Sequence, residues 1–85
     1  MRIDLRHKDF LIAFGQRLKA LRTQKGWSQY DLSYKTNIER VSIIRIEKGE
    51  MNTGIAILPE LAKAFDISVS ELLDFEFGEG GESEK

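Results

Sequence analysis

Apolar residues return along most of this chain at spacings of three and four, the period of a helix that buries one face. Phe10, Phe14, Leu18 and Leu21 form the first such series. They predict a helix opening at Asp9 as N-cap and stopping at Gly26, where glycine accepts the left-handed conformation of a helix end. Ser28 and Asp31 then have the spacing of a capping box. They predict a short second helix from about Gln29 to Lys35, with Leu32 and Ser33 inward. The turn Thr36-Asn37-Ile38 follows, and Asn tolerates the left-handed backbone that a tight helix-to-helix connection needs.

A third helix is predicted from about Arg40 to Lys48, ending at Gly49. Residues 49–54 form a turn-rich loop bounded by two glycines. Leu58, Leu61, Ala62 and Phe65 restart the helical period. Pro59 suits a first turn, so the fourth helix is expected to start near Leu58 rather than at Ile55. Ser68 and Glu71 make a second capping box and predict a last helix from Val69 to Asp74. No strand and no internal repeat is predicted. The pattern gives an all-α, compact five-helix domain over residues 9–76. Residues 1–8 form an N-terminal arm. Residues 77–85 form an acidic tail, with no apolar side chain after Phe77 and disorder expected.

The third helix carries the most information. At about 100° per residue, Ile43 and Ile46 fall on one side, with Ile38 packing the same way just before the helix. Val41, Ile44, Arg45 and Lys48 collect on the other, with Arg40 at its margin. A merely solvated face is usually polar throughout. Cationic and aliphatic groups side by side suit a DNA major groove, where Arg reads guanine O6 and N7 and aliphatic groups meet thymine methyls. Incidental exposure of Val41 and Ile44 is the alternative.

Length and composition narrow the functions left. Eighty-five residues make one domain that buries roughly 60–65% of its unfolded surface. The absence of Cys removes disulfides, thiolate metal sites and Cys nucleophiles, and the single His7 cannot build a His-based metal site or a Ser-His-Asp triad. No metal ion, cofactor or enzyme activity is therefore expected. No apolar run approaches the roughly 20 residues that span a bilayer, and MRIDLRHKDF does not read as a signal peptide. A cytoplasmic protein is expected.

The net charge of −1 conceals a gradient. Residues 1–48 carry a net +6, residues 49–73 a net −3 and residues 74–85 a net −4. Such asymmetry hints at a polyanion-facing side, with a scatter of solvated charge as the alternative.

Two short helices joined by a tight turn after a longer first helix make a helix-turn-helix pattern. The segments LKALRTQKGWSQYDLSYKTN, IERVSIIRIEKGEMN and LPELAKAFDISVSELLD run in order within Phe14 to Asp74. They resemble the phage repressor/Cro type of helix-turn-helix domain, the XRE family. The resemblance implies a repressor-like fold with the helix-turn-helix in helices two and three. It implies that Ser28 and Gln29 contact a phosphate or a base edge, with pure helix capping as the alternative for Ser28. It places the third helix in the major groove, reading bases through Arg40, Val41, Ser42, Ile44 and Arg45. Lys48 belongs to the same face, and Asn52 corresponds to a loop position that touches the backbone or simply turns the chain. An Arg near the end of helix one pairs in the family with a Glu near the end of helix three, which falls on Arg22 and Glu47. Helices four and five often form the dimer contact, with Ile57, Val69 and Leu72 as candidates here; each also suits the core.

Departures from the pattern matter. Glu39 stands at the N-cap of the third helix, where Ser or Thr is usual. Its carboxylate suits the helix dipole but faces phosphates poorly. Glu50 and Met51 occupy a loop that is frequently basic. The expected function is a sequence-specific regulator, a homodimer on an inverted-repeat operator in double-stranded DNA. It acts in the cytoplasm at the nucleoid, without a small-molecule effector. The alternative is a helix-turn-helix module serving as a protein-interaction or antitoxin-type partner with little base readout.

Overall fold

Most helix boundaries in this protein have a local cause. The computed structural model describes residues 7–77. Among them the chain forms five helices and no strand: α1 (Lys8–Gln24), α2 (Gln29–Thr36), α3 (Arg40–Glu47), α4 (Ile57–Phe65) and α5 (Val69–Leu72). Helix α1 begins one residue before the expected cap. His7 is its N-cap without a side-chain bond, and Asp9 Oδ1 accepts from the adjacent Phe10 N–H at 2.9 Å. That contact is too local to start a helix. The other end closes as expected, with Gly26 at φ +75°. Its N–H bonds the Thr23 carbonyl at 3.0 Å while the Trp27 N–H reaches the Arg22 carbonyl at 3.1 Å, the paired bonds of a Schellman ending.

Both capping boxes form. Ser28 Oγ accepts from the Asp31 N–H at 2.9 Å, and Asp31 Oδ2 accepts from the Ser28 N–H at 2.8 Å. Ser68 and Glu71 repeat the arrangement at 3.0 and 2.9 Å. Asn37 and Asp66 end α2 and α4 at φ 63° and 60°, the left-handed turn that carboxamide and carboxylate side chains tolerate. Helix α4 starts at Ile57, which places Pro59 in the first turn. Helix α5 stops at Leu72, two residues short of the expected Asp74. The reason is tertiary: Arg17 Nη2 donates to the Glu71 carbonyl at 2.6 Å and Arg17 Nε to the Leu72 carbonyl at 3.4 Å.

The core gathers Phe14 and Leu18 from α1, Leu32 from α2, Ile43 and Ile46 from α3, Leu61, Ala62 and Phe65 from α4, and Leu72 from α5. Leu72 is 0% exposed, so it is corrected from a dimer candidate to a core residue; a side chain closed inside its own domain has no surface left for a second chain. Two expected boundaries also move outward. Lys8, assigned to the arm, is the first residue of α1. Phe77, assigned to the tail, packs edge-on against Phe10 with ring centroids 4.9 Å apart. The remainder of the arm, residues 1–6, and of the tail, residues 78–85, lies outside the described residues.

Candidate nucleic-acid interface

The outward face of α3 is only as well defined as the contacts that hold its inward face. Ile43 at 0% and Ile46 at 2% exposure point into the core, while Val41, two residues before Ile43, is 58% exposed. Helix α1 crosses close behind. A Cβ on Gly15 would stand 2.3 Å from the Ile46 carbonyl oxygen and 2.7 Å from that of Glu47, distances that exclude any side chain. Gly49 closes the C-terminal end. Its φ is +73°, and a Cβ there would meet the Ile12 Cα at 2.8 Å. Its N–H reaches the Ile46 carbonyl and the Glu50 N–H the Arg45 carbonyl, both at 2.9 Å. Lys8 Nζ donates to the Gly49 carbonyl, where a cation also suits the helix dipole.

A buried ion pair fixes the same helix from the side. Arg22 Nε and Nη2 donate to the two carboxylate oxygens of Glu47 at 2.7 and 3.0 Å. The two side chains are only 10% and 4% exposed. Arg22 Nη1 donates to the Trp27 carbonyl at 2.8 Å, and Gln29 Nε2 donates to Glu47 Oε1 at 2.9 Å. Thus α1, the turn after it, the start of α2 and the end of α3 meet at one ion pair. A buried pair of this kind contributes more to geometry than to net stability.

With α3 so fixed, Arg40, Val41, Arg45 and Lys48 are exposed, whereas Ser42 and Ile44 are half-buried. Glu39 caps α3 without any side-chain cap hydrogen bond. Ser28 is exposed at the start of α2 and spends its hydroxyl on the Asp31 N–H. The Ser28 backbone N–H, and after it the Ser28 hydroxyl, hold the Asp31 carboxyl below its usual value of 3.8. Gln29 is half-buried and turned toward Glu47. Asn52 is exposed at the rim of a groove lined by His7, Phe10, Leu11 and Phe77. Ile57 is half-buried and packed against the core, while Val69 is 36% exposed.

Two residues, Gly15 and Trp27, and two contacts, Lys8 on Gly49 and Gln29 on Glu47, add to what the sequence pattern predicts. Gly15 had a visible signal, an isolated glycine inside an otherwise apolar-periodic helix. Trp27 follows the glycine of a helix end, where an apolar residue commonly folds back; its ring stacks on Phe65 at 5.4 Å, with Lys35 Nζ 4.8 Å from its centroid. Lys8 on Gly49 and Gln29 on Glu47 bridge residues distant in sequence and left no local pattern.

A family model described as helix-turn-helix matches residues 18–72, more than half of the chain. This protein belongs to the helix-turn-helix family. Among solved structures, this helix-turn-helix chain is similar to the restriction-modification controller protein C.AhdI from Aeromonas hydrophila. The two are 40% identical with a TM-score of 0.70, over 73% of this chain and 94% of that one. It is also similar to the controller protein C.Esp1396I, solved as a tetramer in complex with its natural 35 base-pair operator. That likeness is 33% identity and a TM-score of 0.67, over 75% of this chain and 88% of that one. A third relative, a competence pilus inhibition repressor from Acinetobacter baylyi, is 36% identical over 58 residues, 68% of this chain. The match takes in about half, 53%, of that repressor's length.

Proposed function

We propose that this helix-turn-helix protein is a transcriptional regulator of the repressor or controller type that binds double-stranded DNA sequence-specifically. The observation that carries the reading is the two-sidedness of α3. Its inward face is locked by Ile43, Ile46 and the Arg22–Glu47 pair, while Arg40, Val41, Arg45 and Lys48 stand in solvent. The likeness to a controller protein solved on its operator supports it.

In this reading α3 lies in the major groove. Arg40 and Arg45 read guanine edges, Val41 and the half-buried Ile44 meet thymine methyls, and Ser42 bonds a base or phosphate at the margin. Ser28, Lys48 and Asn52 contact the backbone and set the register. The proposed assembly is a homodimer on an inverted-repeat operator, acting in the cytoplasm at the nucleoid. Selection of bound duplexes from a random pool tests this, followed by titration of the selected and a scrambled duplex at several salt concentrations. A selected sequence bound at least a hundredfold more tightly than the scrambled one is expected, since specific and non-specific affinities typically differ by about 10³ or more. Equal binding of the two would make the domain a protein-interaction module instead.

A further inference from the structure

Gln29 links the start of α2 to the ion pair at Glu47. Its Nε2 sits 2.9 Å from Glu47 Oε1, the same oxygen that accepts from Arg22 Nη2 at 3.0 Å. Gln29 is the first residue of α2 and Glu47 the last of α3. The bond therefore spans the two ends of the helix-turn-helix opposite the Asn37 turn. The Asn37 turn and the shared core of Leu32, Ile43 and Ile46 set the coarse angle between the two helices. A polar tie at the far end narrows what freedom is left.

We propose that Gln29 is a positioning residue. Its amide clamps the N-terminus of α2 to the buried Glu47 carboxylate and narrows the range of angles at which α3 is presented. This replaces a phosphate contact as the main work of its side chain. Three features carry the inference. The acceptor is a charged group whose side chain is only 4% exposed, where a hydrogen bond is stronger than one in water. Gln29 itself is half-buried, unlike the exposed Ser28 beside it. The carboxylate has room for a third donor, because two oxygens offer about four acceptor positions and Arg22 takes two. The DNA consequence rests on the proposed reading of α3; the clamp itself does not.

The test uses the full chain and two variants, Gln29→Met, which keeps length and volume without a donor, and Gln29→Ala. The first arm needs no DNA. Exchange of the Arg22 Nη2–H, which shares Glu47 Oε1 with Gln29, should quicken by up to about tenfold in both variants when followed by NMR, the scale of one hydrogen bond to a charged group. Helical circular dichroism should be unchanged. Unaltered exchange would overturn the clamp whatever the protein binds.

The second arm compares the selected operator with random duplex. A clamp predicts that both variants lose roughly tenfold on the operator and flatten the base-preference profile. Random-duplex affinity and the salt slope should stay as in the wild type. Uniform weakening on both duplexes, with the base-preference profile kept, would identify a phosphate contact and overturn the proposal; the salt slope is set by charged groups and does not decide between the two. A wild type with no sequence preference would defeat the regulator reading alone, and the exchange arm would still decide the clamp.

Discussion

Arg45, in the last turn of α3, and Lys48, the residue that caps its C-terminus, are both exposed, yet the proposed interface gives them different work. A bidentate Arg–guanine contact is worth about 1–3 kcal/mol of discrimination. Arg45→Ala should therefore relax preference at one base position per half-site and leave the fold intact. Lys48→Ala should weaken all sequences about equally and make the salt slope shallower by about one unit. A base-substitution scan of the operator with each variant checks both. A uniform loss with Arg45→Ala would make Arg45 a phosphate clamp.

Asp31 gives a residue-scale prediction independent of DNA. Its carboxyl is held below its usual 3.8 by the Ser28 N–H and hydroxyl. A lowered folded-state value means stability that is present above the usual value and is lost as pH falls through the folded one. Asp31→Asn keeps an acceptor but does not titrate there. The stability gap between wild type and variant, measured by urea unfolding, should be constant near neutrality and shrink below pH 3.8. Asp31 was legible from its neighbours because a capping box is a three-residue rule. Gln29 on Glu47 was not, because 18 residues separate the partners.

At the scale of elements, the decisive contact is the crossing of α1 over the end of α3. Gly15→Ala would set a methyl 2.3 Å from the Ile46 carbonyl oxygen, and backbone cannot swing aside as a side-chain tip can. The variant should lose at least the ~1–3 kcal/mol typical of overpacking. Thermal unfolding checks this, and an unchanged melting temperature would place α1 farther from α3 than described. The N-terminus of α3 offers the opposite case. Glu39 makes no side-chain cap bond, so Glu39→Ser should add up to about 1 kcal/mol, the gain of a cap acceptor less the lost carboxylate–dipole attraction. It should also tighten random-duplex binding by removing a carboxylate from the proposed phosphate side. Helix existence and order were legible from apolar spacing, capping boxes and glycines. Helix ends shifted where distant groups intervened. Arg17 captures the α5 carbonyls from α1, a contact across more than fifty residues that no local pattern encodes.

At the scale of the whole molecule, one α3 can read one half-site, and a full site of two half-sites about one helical turn apart calls for two such helices in fixed relation. The fold leaves apolar surface beyond the core for a second copy: Ile55 is 81% and Val69 36% exposed, while Leu72 is closed off at 0%. The sequence already favours the core for Leu72 over the dimer contact; Val69, three residues before it, shares a helix face divided between core and surface. A two-fold dimer is therefore expected. Sedimentation at high micromolar concentration should find it for the wild type, free and on the inverted repeat. Val69→Glu and Ile55→Glu place charges on exposed positions, so they should spare the helical signal and shift the protein toward monomer. Their loss of affinity should be larger on the full repeat than on a single half-site, because only the full repeat gains from two linked helices. A wild type that sediments as a monomer in both settings would refute the dimer. Variants that fall equally on full and half-sites would move its interface away from Ile55 and Val69.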